Sequence, residues 1–128
     1  FSAEGICLCG YTPRPPHRDI HKTALGATDT VEWKYIDSAV EAVRQLRDTG
    51  YQVLAVEQVE GSIPLQSFKG TRNQKLALVF GNEVEGISDE VLACCGQSIE
   101  IPQFGTKHSL NVSVAAGIAL WEMRRVYF

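Results

Sequence analysis

Five short apolar runs with strand character punctuate the chain: residues 5–10 (GICLCG), 30–35 (TVEWKY), 52–58 (QVLAVEQ), 75–81 (KLALVFG) and 97–102 (QSIEIP). Those around Ile6, Val53 and Leu78 are almost continuously hydrophobic, as strands buried on both faces of a parallel sheet are. Helical patterns lie between them. Residues 37–49 place Val40, Val43, Leu46 and Arg47 at helical spacing, with Asp37 or Ser38 to cap the start and Gly50 to stop the helix. Residues 88–95 open with a serine and two acids, which suit the positive end of a helix. A last helix is expected from about Ser109 to Arg125. Its apolar residues, Leu110, Val112, Val114, Ile118, Leu120, Trp121 and Met123, fall on nearly every side, so it needs cover on more than one face. In so small a domain a second subunit is a reasonable source of that cover, and Gly117 would allow close approach. Strands alternating with helices predict an α/β fold: a mostly parallel sheet, helices on both faces and right-handed crossovers.

Composition narrows the class. At 128 residues, 45% hydrophobic and 21% charged, the chain has the size and balance of one soluble domain with a core. No run is long enough to span a membrane and no signal-like segment opens the chain, so a cytoplasmic location is expected. Cys7, Cys9, Cys94 and Cys95 lack the spacing of a zinc site, and reduced, half-buried thiols are the simplest reading; no metal is expected. A net charge of −3 gives no global attraction to nucleic acid. Residues 14–22 (RPPHRDIHK) nevertheless gather Arg14, His17, Arg18, His21 and Lys22, and on a helix Arg18 and Lys22 would share a face. A solvated surface is the ordinary reading of such a cluster.

Two turns at strand ends carry the candidate chemistry, because ligands in α/β folds bind outside the carboxyl ends of the strands. The first, GNEVEG at 81–86, has a glycine at each edge, where backbone amides can approach a ligand. It lacks the lysine of a phosphate loop and does not match GxGxxG, and its glutamates would repel phosphate, so a neutral or cationic ligand suits it better. The second runs from Ile101 and Pro102 through QFGTKH to Ser109, Leu110 and Asn111. Ser109 is expected to cap the last helix, which leaves Asn111 in the first turn without an explanation. Ser109 has His108 beside it but no GxSxG elbow, so a hydrolase is set aside and His108 is read as a surface or hydrogen-bonding residue.

The two turns together carry a resemblance. LALVFGNEVEGIS followed by IEIPQFGTKHSLNVSVAAGIALWE resembles the second and third motifs of the SpoU (TrmH-like) branch of the SPOUT RNA methyltransferases, and HKTALGATDTVEW resembles the same family more loosely. The resemblance implies an α/β domain with a C-terminal trefoil knot, and a homodimer built around the last helix. It implies S-adenosylmethionine as cofactor and methyl transfer to a ribose 2′-hydroxyl of tRNA or rRNA. It also implies that Val56, Glu57, Gly81, Asn82, Ile101 and Leu110 line the cofactor pocket, and that Glu83, Ser109 and Asn111 shape the active site and position the reacting ribose. Arg14, Arg18, Lys22 and Lys107 are the side chains to test for RNA phosphate contact.

The family's first motif, an asparagine followed several residues later by a catalytic arginine, should stand just upstream of FSAEGICLCG. No arginine present, Arg14 and Arg18 included, occupies that place. A single SPOUT domain over residues 1–128, truncated at its first strand and helix, is therefore expected, forming the knot but methylating RNA poorly by itself. Two alternatives stand beside the enzyme: an RNA-binding or dimerisation module of the same fold without catalysis, and a flavodoxin-like nucleotide binder, which the missing phosphate loop disfavours.

Overall fold

The computed structural model describes residues 1–107 and 109–125. Contacts divide the chain into two compact units, Ser2–Ala42 and Val43–Phe128 with Phe1, so that the border falls inside one helix.

The smaller unit is organised by two parallel strands, β1 (Ile6–Cys9) and β2 (Trp33–Ile36), with Ile6 opposite Trp33 and Cys9 opposite Ile36. The second strand was expected from Thr30. It starts three residues later because the Thr30 and Val31 amides both donate to the Ala27 carbonyl (3.1 and 2.9 Å) and close a 3-10 turn at Ala27–Asp29. Between the strands lies α1 (Arg18–Ala24), which ends where Leu25 and Gly26 take left-handed conformations. The His17 imidazole caps its start by accepting from the Asp19 amide at 3.3 Å. The Tyr35 hydroxyl donates to the Gly10 carbonyl at 2.6 Å, while the Arg14 guanidinium lies over the Tyr35 ring, 4.3 Å from its centroid. This cation–π stack holds a chain segment that is otherwise solvent-facing.

In the larger unit, β3 (Gln52–Val56), β4 (Ile63–Pro64), β5 (Leu76–Phe80) and β6 (Gln97–Glu100) form a four-stranded sheet in the order β4-β6-β3-β5, every pairing parallel. Parallel neighbours cannot be joined by tight hairpins, so the chain must cross over between them. The expected parallel strands are therefore present, but in two sheets rather than one, since β1 pairs only with β2. The strand β4 has too few residues to show a periodicity and was not foreseen.

Helix α2 (Ala39–Asp48) begins with the Ser38 hydroxyl accepting from the Glu41 amide at 3.2 Å, which selects Ser38 over Asp37 as the capping side chain. Helix α3 (Asp89–Cys94) begins at Ser88, whose hydroxyl accepts from the Val91 amide at 3.3 Å. At its other end the Arg47 guanidinium donates to the Cys94 carbonyl at 2.6 Å, placing a cation on the negative end of the helix. Arg47 thus belongs to the polar anchoring of α2 rather than to its apolar stripe. Helix α4 runs over Val112–Arg125, three residues shorter at its start than expected. Asn111, not Ser109, is its cap: the Asn111 Oδ1 accepts from the Ser113 amide (2.9 Å) and hydroxyl (2.6 Å), and the Asn111 carbonyl accepts from the Ala115 amide at 2.9 Å.

The core of this unit is Leu54, Leu65, Ile99 and Ala119, with Leu78, Phe80 and Met123 among the residues packed around it. Ala119 is fully buried, so α4 meets the sheet through its smallest apolar position. Val114, Ile118 and Trp121, on another side of α4, remain 49%, 40% and 50% exposed, in keeping with a helix that is apolar nearly all round. Trp121 receives the edge of the Phe1 ring at 6.4 Å between centroids.

The four cysteines are free and partly buried. Burial, and then the thiols of Cys7 and Cys94 beside them, raises Cys9 and Cys95 above the usual thiol range, so neither is set up as a nucleophile. Among the described residues no helix is long and apolar enough to cross a membrane, and no group of three His, Cys, Asp or Glu could hold a metal ion.

Leu54 is completely buried at the middle of the sheet, opposite Leu78. Leu54→Ala should cost about 2–5 kcal/mol, read as a lower urea midpoint at unchanged slope.

Candidate functional site

The carboxyl ends of β3, β5 and β6 point into one open cavity of about 420 Å³. That volume is within the range of small-molecule sites. Its walls are built by three consecutive devices.

The first is the turn after β5. Gly81 leaves the strand, and a Cβ there would lie 2.2 Å from the Gly86 carbonyl carbon and 2.4 Å from the Ile87 nitrogen. Only glycine permits the chain to fold back this closely. Asn82 then closes the loop from inside: its Oδ1 accepts from the Val84 amide at 2.9 Å and the Glu85 amide at 2.6 Å, while its carbonyl accepts from the Gly86 amide at 3.0 Å. Gly86 adopts φ +67°, a left-handed conformation that a side chain would strain.

The second device is Glu57, just beyond β3. Its amide extends the ladder to the Ile99 carbonyl at 3.0 Å, and its Oε2 accepts from the Ile87 amide at 3.1 Å. A Cβ on Gly86 would come within 2.7 Å of that same oxygen. Glu57 is thus a brace between the β3 end and the turn after β5, as well as part of the cavity wall.

The third is the segment that leaves β6. Ile101 leans on the core and lines the cavity, and the chain comes back to it at Ser109 and Leu110 before Asn111 starts α4. Val112 and Ala115, in the first turn of the helix, also face the cavity. Freed from the capping role expected of it, Ser109 stands exposed at the rim.

Of the residues singled out in the sequence, Val56, Glu57, Gly81, Asn82, Glu83, Ile101, Ser109 and Leu110 all line this one cavity. Asn111 does not, although its neighbours on both sides do; its carboxamide oxygen is engaged at the helix start. Sequence reasoning missed Glu85, Asp89, Glu100 and Gln103, which complete the polar wall. Glu100 is placed by the Ser62 hydroxyl, which donates to its Oε2 at 2.6 Å. Its position at the carboxyl end of a parallel strand was the available signal. His108 falls outside the described residues.

The wall has one sign of charge. Glu57, Glu83, Glu85, Asp89 and Glu100 line it, and among the described residues no Lys or Arg does. Such a lining repels phosphates and favours a ligand with a positive centre, while Val56, Phe80, Ile101 and Leu110 supply an apolar strip beside it. The basic candidates lie elsewhere. Arg14, Arg18 and Lys22 belong to the smaller unit, with Arg18 beside Asp19 at 3.6 Å, and Lys107 is exposed on the segment between β6 and α4.

A parallel α/β sheet with a ligand-sized, acid-lined cavity at its strand ends defines a small-molecule-binding α/β domain. The chain belongs to the SpoU rRNA methylase family, whose model matches residues 1–121. It is 34% identical over 97 residues to a tRNA (guanosine(18)-2′-O)-methyltransferase of Aquifex aeolicus, a match covering 73% of this chain and 45% of the relative. It is also 34% identical over 107 residues to the 23S rRNA (guanosine-2′-O-)-methyltransferase RlmB of Ralstonia nicotianae, covering 83% and 41%. Among solved structures, an AdoMet-bound rRNA methyltransferase from Sinorhizobium meliloti superimposes with a TM-score of 0.89 at 29% identity, over 98% of this chain and 47% of that one. The chain therefore spans less than half the length of the curated relatives it matches.

Because Gly81 touches backbone on its inner side, Gly81→Ala should force the turn open. The expected loss is about 3 kcal/mol or more in chemical denaturation. Asn82→Ala removes one acceptor from two exposed amides and should cost only about 1 kcal/mol.

Proposed function

We propose that this chain forms the cofactor-binding part of an S-adenosylmethionine-dependent RNA methyltransferase that acts on a ribose 2′-hydroxyl of tRNA or rRNA. The observation that carries the reading is the acidic, phosphate-repelling wall of the strand-end cavity, set beside an apolar strip. S-adenosylmethionine fits that chemistry. Its sulfonium and ammonium are cations, and its adenosine offers a flat apolar face without a phosphate.

In this reading Val56, Phe80, Ile101 and Leu110 would hold the adenosine, and Gly81 and Asn82 would offer backbone groups beside it. A bound cofactor would supply an electrophilic methyl group for in-line transfer to a ribose oxygen. The chain's own contribution is positioning, which in such an in-line transfer can supply much of the acceleration. Glu83, on the turn after β5, and Ser109, before α4, both line the cavity, and the acceptor ribose would be oriented between them. Asn111 would act through the start of α4, holding the Ser109–Leu110 segment where the helix begins. Arg14, Arg18, Lys22 and Lys107 would meet RNA phosphates.

The same reading takes residues 1–128 as part of one SPOUT domain, with the segment around Leu110 passing through a trefoil knot and a cytoplasmic location. The exposed stripe of Val114, Ile118 and Trp121 on α4 supports homodimerisation through that helix. A like helix from a second copy would cover apolar surface that water now meets.

Calorimetric titration with S-adenosylhomocysteine should give one saturable site, while FMN and NAD, which carry phosphates, should not bind. Leu110→Glu adds a further carboxylate to the wall and should abolish binding with the far-ultraviolet spectrum unchanged. Ser109→Ala, in the full-length protein, should bind S-adenosylhomocysteine normally but lower methyl incorporation into unmodified tRNA and rRNA transcripts by about 10- to 100-fold. Wild-type binding of FMN in preference to S-adenosylhomocysteine would overturn the assignment, and RNA binding without methylation by the full-length protein would make it a binding module instead.

A further inference from the structure

Among the described residues of the larger unit, two large apolar side chains are almost wholly in water, and both belong to the segments that build the cavity. Val84, 93% exposed, is on the turn after β5, and Phe104, 97% exposed, follows Gln103 on the segment after β6. Val84 and Gln103 both line the cavity. Neither exposure is needed by the fold. The Val84 position is fixed through its backbone amide, held by Asn82, and its side chain could be any residue. Phe104 lies between Pro102 and Gly105, contributes nothing to the core cluster, and Gly105 beside it is open on all sides.

The surroundings restrict what such a pair can meet. Glu83 and Glu85 flank Val84, so a phosphate is disfavoured over the first turn, whereas Lys107, exposed three residues after Phe104, offers a phosphate contact on the second segment. A ligand that brings a flat, uncharged face to the apolar pair and an anionic backbone to the lysine matches this arrangement. An unstacked RNA nucleotide is such a ligand, since every base has a π-face that an aromatic side chain can accept.

We infer that Phe104, next to the cavity-lining Gln103, is a base platform beside the cavity, with the exposed Val84 of the turn after β5 offering a second apolar contact. It holds the base of the acceptor nucleotide so that the attached ribose enters between Glu83 and Ser109. The inference rests on the RNA methyltransferase reading above and adds to it the side chains that position the nucleotide. Phe104 is a positioning residue here. It touches the base rather than the reacting hydroxyl, and its platform reads the shape of a base, not its sequence.

The test uses the full-length protein saturated with S-adenosylhomocysteine and a single-stranded RNA pentamer carrying 2-aminopurine at its centre, whose emission falls when the base stacks. Wild type should quench the probe and bind it more tightly than the same pentamer with an abasic centre. Phe104→Ala should weaken binding of the 2-aminopurine pentamer by about tenfold and remove the quenching, with little effect on the abasic pentamer. Phe104→Trp should restore both, and neither Phe104 variant should alter the titration with S-adenosylhomocysteine. Val84→Ala should show a smaller loss in the same direction. If wild type quenches the probe and Phe104→Ala does so equally, the platform is wrong while the RNA-binding reading stands. If wild type takes up S-adenosylhomocysteine but neither pentamer, the RNA reading and the platform fail together.

Discussion

The close approach of Gly81 to the Gly86–Ile87 peptide governs the larger unit's functional end. At that point the chain leaving β5 folds back on itself with no room for a side chain, and everything around the cavity is arranged to hold the fold-back. Asn82 satisfies two amides inside the turn, and Glu57 reaches across from the neighbouring strand to take a third at Ile87. A carboxylate is well matched to that place because it can accept from the turn and still present negative charge to the cavity. The brace therefore links structure to electrostatics: the group that ties β3 to the turn is also part of the wall that disfavours phosphate.

Helix α4 joins the site to the core. Its first turn faces the cavity through Val112 and Ala115, its middle is pinned to the sheet by fully buried Ala119, and Met123 packs further along. Ala119 packs in one cluster with Leu54 and Ile99, and the small side chain lets the helix lie close to them. Asn111 then determines how the preceding segment departs, because its side chain is spent on the Ser113 amide and hydroxyl. Ser109, two residues earlier, is left free to face a ligand. The helix start and the exposed serine are two consequences of one cap.

Much of this was legible in the sequence, for identifiable reasons. The runs QVLAVEQ and LALVFG announce buried parallel strands because they are apolar at consecutive positions, and the glycines of GNEVEG mark a turn whose backbone needs them. Of the eight proposed site residues that share the cavity, six stand at or just beyond a strand end, where a parallel sheet gathers its ligands, and Ser109 and Leu110 return to it just before α4. The failures have equally local causes. Serine and asparagine are both good caps, and with Ser109 and Asn111 two residues apart the choice between them depends on where Ala119 meets the sheet, which no local pattern encodes. The division of the strands into two sheets was hidden for the same reason: strand propensity says nothing about which neighbour a strand will pair with. Glu85, Asp89 and Glu100 were invisible as a group because they come from a turn, a helix start and a strand end that only the fold brings together.

The charge and the apolar surface of the site divide its work. Negative charge lines the cavity, on the half-buried Glu57 and Glu100 at strand ends and on the exposed Glu83, Glu85 and Asp89 around the turn after β5. Val84, which also lines the cavity, and Phe104, which does not, are the exposed apolar groups of the two segments. A polyanion cannot enter the acidic interior along its backbone, so it can reach the cavity only by presenting an uncharged part of itself. For a nucleic acid that part is the nucleoside, base and ribose together, with the phosphates left outside. In the proposed reading this electrostatic preference would favour delivery of a ribose with its phosphates left outside the cavity.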